Sequence, residues 1–401
     1  VQEEKPFAKL MSITSRPDAI MIRGRGSWIW DEDGKRYLDF IQGWAVNCLG
    51  HAPDLIREAL AEQSARLLTA SPALHNRPQL ELAALLARKS GLDRVFFCNS
   101  GTEANEGAIK LARKWGKVNK RGAFEIITTE NAFHGRTLAA MAASGKPGWE
   151  EMFPPNPPGF IRVPFGDVRA VQRAINQNTV AVMVEPIQGE AGVVLPREGY
   201  LRELRRLTGE TGLLLVMDEI QTGMARTGAA FAHQHEGVVP DIMTLGKGLG
   251  GGVPIAAVLA TSEASCLVNG EQGGTYNGNP LVCAVALAVS REILDPGFLQ
   301  RVRENGSYLM QGLRNLAARH RCPEVRGRGL LAAMRLPRAN AEPIRDRCFE
   351  QGLIVNAPRA DLLRFMPALN VSRDEVDVMI AVLDGVLAAI PPAVPGRDAR
   401  Q

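Results

Sequence analysis

An α/β fold built on a mainly parallel sheet sandwiched by helices follows from three features of this 401-residue sequence. From about Pro53 to Val289, short apolar runs alternate with stretches whose apolar residues recur at helical spacing, the pattern that crossover helices impose on parallel strands. Several of those runs break off into polar loops rich in chemically capable residues, and open sheets of this class present their ligands at such strand ends. Beyond residue 290 the pattern changes to one long helix and short strands, which predicts a smaller α+β domain. At this length more than one domain is expected.

Ser27–Trp30 and Arg36–Phe40 alternate on either side of Asp31-Glu-Asp-Gly34, which reads as a hairpin turn. Arg94–Cys98 is a short apolar strand feeding Asn99-Ser-Gly-Thr-Glu-Ala-Asn105 and a helix that runs through Trp115. Free amides at that helix start, with Gly101 permitting close approach, suit a dianion. Ser100 and Glu103 have the spacing of a capping box, which explains the same pattern equally well. Glu125–Thr129 leads into Asn131-Ala-Phe-His-Gly-Arg-Thr137, where Phe133 offers a flat stacking face and Arg136 a planar fork for carboxylates. Ala181–Val184 ends in Glu185-Pro-Ile-Gln-Gly-Glu190. Taken singly, His134 reads as a structural hydrogen-bonder and Glu185 as a network carboxylate.

Leu213–Met217 reads as a buried parallel strand ending in Asp218-Glu-Ile-Gln221. A strand-end aspartate either caps the next turn or holds a nitrogen heterocycle protonated. At ~4 Å and an effective dielectric of about 20 that attraction is roughly 4 kcal/mol, or about three pKa units. Further on, Lys247 follows the strand-like run Asp241-Ile-Met-Thr-Leu and precedes four glycines within five residues. Missing side chains there let backbone and a flat ligand approach the amine, and desolvation lowers its pKa as a nucleophilic lysine requires.

In the last third, Leu299–Arg319 is helical, and Gly329–Leu336, Gly352–Asn356 and Leu362–Met366 read as strands. Ser372 and Glu375 start an amphipathic helix over Val376–Ile390, which Asp377, Asp384 and Gly385 bar from being a membrane span. Pro391 onward reads as a loose tail. The expected division is 1–52 as an N-terminal segment, 53–289 as the large domain, 290–390 as the small domain and 391–401 as the tail.

Composition narrows the class. Net charge is only +4, from 47 basic and 43 acidic residues, too mild for a nucleic-acid partner. Six cysteines form no Cys-x-x-Cys pair and read as reduced thiols of a cytoplasmic protein. His233-Gln-His235 has no neighbours that complete a ligand set, so no metal is expected. Residues 1–6 lack the apolar core of a secretion signal. A dinucleotide-binding reading fails because no Gly-x-Gly-x-x-Gly follows the first strand, and Gly246-Lys247 lacks the Ser or Thr of a phosphate-binding P-loop.

Taken together, Ser100–Asn105, Asn131–Thr137, Glu185–Glu190, Asp218–Gln221 and Lys247 stand in the order found in class III aminotransferases, of the fold-type I pyridoxal-phosphate group. The chain resembles that family from about Ile22 to Ile390. Gly43-Trp-Ala-Val-Asn-Cys-Leu-Gly-His51, Asn131–Arg136 and Leu363-Arg-Phe-Met-Pro367 make it most similar to the acetylornithine aminotransferases. The resemblance implies pyridoxal 5'-phosphate as cofactor and a cytoplasmic homodimer with shared active sites. It further implies transfer of the δ-amino group of N2-acetyl-L-ornithine to 2-oxoglutarate in arginine biosynthesis. Succinylornithine, N-succinyldiaminopimelate, ornithine and 4-aminobutyrate are the alternative donors. The N-terminal hairpin is expected to pack with the small domain.

Roles are implied position by position. Lys247 would hold the cofactor covalently and later carry the proton, Asp218 would pair with the ring nitrogen, and Gln221 would bond the ring oxygen. Phe133 would stack on the ring, with His134 and Glu185 beside it. Ser100, Gly101 and Thr102 would bind the phosphate, and Thr275 would reach the phosphate of the neighbouring subunit. Arg136 and Arg364 would hold substrate carboxylates, with Glu190 neutralising Arg364 when none is present. Three positions depart from the family's pattern: the substrate-side Gly274 where Ser is common and Trp44 where Ile or Tyr is found, and Asn277 of the interface loop where Gly is usual.

Overall fold

The computed structural model describes residues 7–389, so the expected tail from Pro391 lies outside the described residues. Its centre is a seven-stranded sheet. Numbering strands along the chain, an N-terminal hairpin region supplies β1 (Met21–Arg25), β2 (Trp28–Asp31) and β3 (Arg36–Asp39). The large sheet contains β4 (Arg94–Cys98), β5 (Glu125–Thr129), β6 (Phe160–Val163), β7 (Thr179–Val184), β8 (Leu214–Asp218), β9 (Ile242–Leu245) and β10 (Ala256–Ala260). Its order is β4-β10-β9-β8-β7-β5-β6. Every pairing from β9 through to β6 is parallel, while β10 runs antiparallel to both β9 and β4. The carboxyl ends of β4, β5, β7, β8 and β9 therefore share one edge.

Helices cover both faces, so the central strands are apolar at consecutive positions. In β7 every residue is buried. Ala181 and Met183 join Ala104, Ala108 and Ala112 of the helix Gly101–Asn119 in one core. Val182 and Val184 face the other way, with Leu204 and Leu207 of the helix Tyr200–Thr211. Gly116 shows how closely the first helix sits, since a Cβ there would lie 1.9 Å from the carbonyl oxygen of Ala123.

The C-terminal part adds β11 (Glu324–Arg328), β12 (Leu331–Arg335), β13 (Leu353–Ile354), β14 (Asn356–Arg359) and β15 (Leu362–Phe365). β11, β12, β15 and β14 form an antiparallel sheet in that order. Gly352–Asn356, expected as one strand, is split: β13 leaves to pair in parallel with β3, and the chain re-enters the C-terminal sheet at Asn356. The long helix starts earlier than expected, at Pro296, because Asp295 caps it by accepting from the amides of Gly297 and Phe298. Ser372 and Glu375 form the expected capping box of the helix Arg373–Ala388.

Arg226, buried in a loop after β8, donates to the carbonyls of Leu330 and Pro367 and so ties that loop to the C-terminal segment. Burial lowers its guanidinium to about 10, opposed only by Cys48. All six cysteines are free; Cys266 and Cys322 are half-buried, while the other four are core residues. Among the described residues no helix is long and apolar enough to cross a membrane.

Candidate active site

The strand ends converge on Asp218, the last residue of β8, which is buried. Its Oδ2 accepts from Asn105 Nδ2 at 2.7 Å and His134 Nδ1 at 2.8 Å, and its Oδ1 accepts from the amide of Ile220 at 3.1 Å. Asn105 is held in turn, donating to the carbonyl of His134 and accepting from Thr244 Oγ1 on β9. Three segments thus meet on one carboxylate, with β9 behind Asn105, and the charge-assisted bonds fix its direction. His134 has one ring nitrogen on Asp218 and leaves Nε2 buried without a partner.

Three residues later, Gln221 places Oε1 3.4 Å from Arg364 Nη1 and leaves Nε2 buried without a partner. Arg364, in the middle of β15, is fully buried. Its Nε donates to Asn356 Oδ1 at 2.9 Å, its Nη1 to the carbonyl of Gly189 at 2.7 Å, and its Nη2 to Glu190 Oε1 at 2.8 Å. Burial works to raise Glu190, but Arg364, Lys247 and Lys146 outweigh it and hold the carboxyl down at about 2. On another side the guanidinium stands 5.8 Å from the ring centroid of Trp44. Trp44 lies in a left-handed turn in which Gln42, Gly43, Trp44 and Ala45 have φ of 51°, 60°, 65° and 64°.

Lys247 opens a short 3-10 turn directly after β9 and itself has φ of 45°. Desolvation pulls its amine below the ordinary lysine range; Arg364 adds to this, while Glu190, Asp218 and Glu185 oppose it. For Gly250 and Gly251 the expected purpose, room for a ligand beside the amine, needs correction. Gly250 and Gly251 face the protein rather than the cleft: a Cβ at Gly250 would lie 2.0 Å from the carbonyl of Val253, and one at Gly251 3.0 Å from Ile56. Gly246 is the one that faces the cleft walls, within 3.5 Å of Gly101 Cα and 3.3 Å of Ile220 for an added Cβ.

At the start of the helix Gly101–Asn119 the capping-box reading of the sequence holds. Ser100 Oγ accepts from the amide of Glu103, whose carboxylate accepts from the amides of Asn99 and Ser100. Ser100 therefore acts as a cap, and the first-turn amides of Gly101 and Thr102 are left for an outside acceptor. Thr102 Oγ1 accepts from the amides of Arg136 and Thr137, which seats the Arg136 loop on the helix start.

Phe133 is half-buried and meets Trp149 edge-on at 5.7 Å. Its amide donates to Glu185 Oε1 at 3.0 Å, while Glu185 Oε2 accepts from the amide of Gly189 at 3.2 Å. Burial pushes Glu185 up to about 7, against the pull of His134; Asp218 adds to the rise and the two amides oppose it. Arg136 is exposed at the rim with its guanidinium 5.2 Å from the Trp149 ring.

Thr275 is exposed on its loop and does not join the cluster. The two departures beside it account for each other. A Cβ on Gly274 would lie 2.7 Å from the side chain of Asn277, which instead accepts from Asn99 Nδ2 at 2.8 Å. Sequence reasoning missed Asn105, Trp149 and Lys146 as site residues. Asn105 alone carried a signal, as a polar residue on the apolar face of its helix.

These strand-end groups define a site for a charged, flat ligand beside a nucleophilic amine. Residues 12–387 match the family model described as aminotransferase class-III, and the chain belongs to that family of pyridoxal-phosphate enzymes. Acetylornithine aminotransferase 2 of Bordetella bronchiseptica is 53% identical over 384 residues, 95% of this chain and 97% of that one. The acetylornithine aminotransferase of Methanocaldococcus jannaschii is 44% identical over 95% of this chain and 96% of its own. Among solved structures, the ornithine aminotransferase of Toxoplasma gondii ME49 superposes with a TM-score of 0.91 at 33% identity, covering 96% of this chain and 93% of that one. N-acetylornithine aminotransferase of Stenotrophomonas maltophilia K279a gives 0.82 at 37% identity, covering 93% and 96%.

The residues present fit pyridoxal 5'-phosphate. The first-turn amides suit its phosphate, the unpartnered Gln221 Nε2 suits its ring oxygen, and the anchored Asp218 carboxylate suits its ring nitrogen. Phe133 supplies a flat face and Lys247 a desolvated amine for its aldehyde.

Proposed function

We propose that the protein transfers the δ-amino group of N2-acetyl-L-ornithine to 2-oxoglutarate, giving N-acetyl-L-glutamate 5-semialdehyde and L-glutamate, a step of arginine biosynthesis. The ion pair between Arg364 and Glu190 at 2.8 Å carries this reading. Acetylornithine has its carboxylate far from the reacting amine, and its α-nitrogen is masked as a neutral amide. 2-Oxoglutarate brings one distal carboxylate and a second beside the reacting ketone. Arg136 serves the distal carboxylate of both. Arg364 serves only the second, and a buried guanidinium stripped of its partner costs about 3–5 kcal/mol. Glu190 is the group that removes this cost while acetylornithine is bound. The names of the relatives above support the same donor.

When bound, pyridoxal 5'-phosphate supplies an electron-withdrawing ring that accepts the electron pair left on the substrate carbon. Asp218 keeps the ring nitrogen protonated, and Asn105 and His134 keep Asp218 in place. Gln221 would hold the ring oxygen and Phe133 would cover a face. Lys247, its pKa lowered by burial, takes the proton from the amine-bearing carbon. A donor panel with 2-oxoglutarate as acceptor tests the assignment. Acetylornithine should have the highest kcat/KM; preference for ornithine or 4-aminobutyrate would overturn the donor and leave the reaction class intact.

We infer a homodimer as the working form. Thr275 is exposed outside its own cleft, and Asn76 ties its loop, through the carbonyl of Gly278, to the start of the helix Arg77–Ser90. Leu74, Leu80 and Tyr276 are exposed around that link. Dilution to monomers should release cofactor, and a fully active, coloured monomer would refute the inference.

A further inference from the structure

Lys146 belongs to none of the motifs that define the family, yet it stands inside the site. It lies past the helix Leu138–Ala143, with its ammonium 4.9 Å from the ring centroid of Phe133 and 5.2 Å from that of Trp149. The same nitrogen is 3.8 Å from Glu190 Oε2, while Glu190 Oε1 holds Arg364 at 2.8 Å. Glu190 therefore has one oxygen turned to each of two cations. The Arg364 contact is a hydrogen bond and the Lys146 contact is not, so the resting pair is Glu190 with Arg364.

These two cations differ in freedom. Arg364 is pinned through Nε and Nη1 by Asn356 and Gly189 and is fully buried. Lys146 is partly exposed, and a flexible four-carbon stem carries its ammonium over two aromatic rings. When a substrate carboxylate takes Arg364, Glu190 is the partner that must leave. A carboxylate released into a half-buried cleft without a cation pays its full desolvation cost. Closing the remaining distance to Lys146 avoids that cost with a side-chain movement of about 1 Å.

We propose that Lys146 is the second partner of Glu190, receiving its carboxylate whenever a substrate carboxylate occupies Arg364. Lys146 is then a positioning residue that sets selectivity between substrates with and without a carboxylate beside the reacting carbon. Electrostatics agree. Desolvation lowers Lys146; Arg136, Arg359 and Arg364 add to the lowering, and Glu190 is the carboxylate that opposes it. The proposal rests on the two-substrate reading above.

The test uses holoenzyme carrying Lys146→Met, which keeps an unbranched apolar chain and removes the charge, and Lys146→Arg. With Lys146→Met the KM for 2-oxoglutarate should rise about tenfold, the loss expected from one partly desolvated ion pair, while the KM for acetylornithine stays within about twofold. Lys146→Arg should restore the 2-oxoglutarate value. Calorimetry with unreactive probes gives a second readout: Lys146→Met should weaken glutarate and leave valerate, which lacks the second carboxylate, unchanged. In a Glu190→Gln background Lys146→Met should add nothing. Equal weakening of glutarate and valerate would make Lys146 a distal-carboxylate ligand and overturn the proposal. An unchanged 2-oxoglutarate KM, or an effect that persists without Glu190, would overturn it too. Failure of wild-type enzyme to use acetylornithine would strike the donor assignment alone, because the two-probe contrast does not involve that donor.

Discussion

Replacing Asp218 with Asn removes a charge while keeping the shape, and the surroundings allow the consequence to be sized. Three donors face the carboxylate: Asn105 and His134 on Oδ2 and the amide of Ile220 on Oδ1. Asparagine has one acceptor oxygen, so its amide group must oppose either the side-chain pair or the backbone amide. One buried donor left unmet costs roughly 1–3 kcal/mol, which should appear as lost stability. The catalytic loss is larger. A carboxylate ~4 Å from the ring nitrogen contributes roughly 4 kcal/mol at an effective dielectric of about 20, or about three pKa units. If that energy is expressed wholly in the transition state, each half-reaction slows by about a thousandfold.

Single-turnover absorbance, first with acetylornithine and then with 2-oxoglutarate, measures the two steps separately. Cofactor affinity should fall much less, since the amides of Gly101 and Thr102 are untouched. The variant should also recover rate as pH falls, because solvent protons then supply what the carboxylate no longer does. Turnover near the wild-type value at pH 8 would refute the reasoning and assign ring protonation to another group.

Four further outcomes are expected. Borohydride reduction followed by mass spectrometry should place the cofactor on Lys247, and Lys247→Ala should bind cofactor without completing transamination; label on another lysine would defeat this. Glu190→Gln should slow the acetylornithine half-reaction and open the pocket to α-amino acids such as glutamate, whereas equal slowing of both half-reactions would make Glu190 and Arg364 a fixed structural pair. Gly274→Ser should destabilise the 273–280 loop because its Cβ meets Asn277, and adding Asn277→Gly should relieve it, so thermal shifts that simply add would contradict the coupling. Glu185, raised from 4.5 to about 7, contributes stability that is fully present below pH 4.5 and lost as pH rises through 7. Unfolding of Glu185→Gln should therefore gain on wild type by on the order of 3 kcal/mol between those limits, and a pH-independent difference would exclude it.

What the sequence made legible were elements with a strong local period and loops that follow them. β7 and β8 are apolar at nearly every position and were readable as buried parallel strands, with Glu185 and Asp218 at or just beyond their ends. The capping box at Ser372 carried its own start signal. The split of Gly352–Asn356 between two sheets was not readable, because which edge a short apolar run joins depends on β3, more than 300 residues earlier. Gly250 and Gly251 after Lys247 give their room to Val253 and Ile56, which the sequence does not show, since absence of a side chain does not say which side needs the room. Lys146 and Trp149 entered the site by tertiary placement alone.

The left-handed turn at Trp44 was equally invisible, and its energetics say why it persists. Positive φ at three non-glycine residues costs roughly 1–2 kcal/mol each. Something must hold it. Asp39 at the end of β3 accepts from the amides of Ile41 and Gln42 through Oδ1 and from His51 Nε2 through Oδ2, and Gln42 Nε2 returns a bond to the carbonyl of Asp39. The buried Ala45 then packs with Ile187, Leu331 and Met366. What this anchoring secures is the place of Trp44, 48% exposed, with its ring on the guanidinium of Arg364. A flexible loop would let that ring leave and admit water to a buried cation whose compensation depends on one carboxylate. The proposed use of the site by two substrates requires Glu190 to move, which leaves rigidity to the other walls around Arg364. The strained turn is one wall, and the fixed carbonyl of Gly189 with Asn356 is another. On the proposed reading the charges that move are those of Glu190 and Lys146, and the frame that does not yield is the one around Arg364.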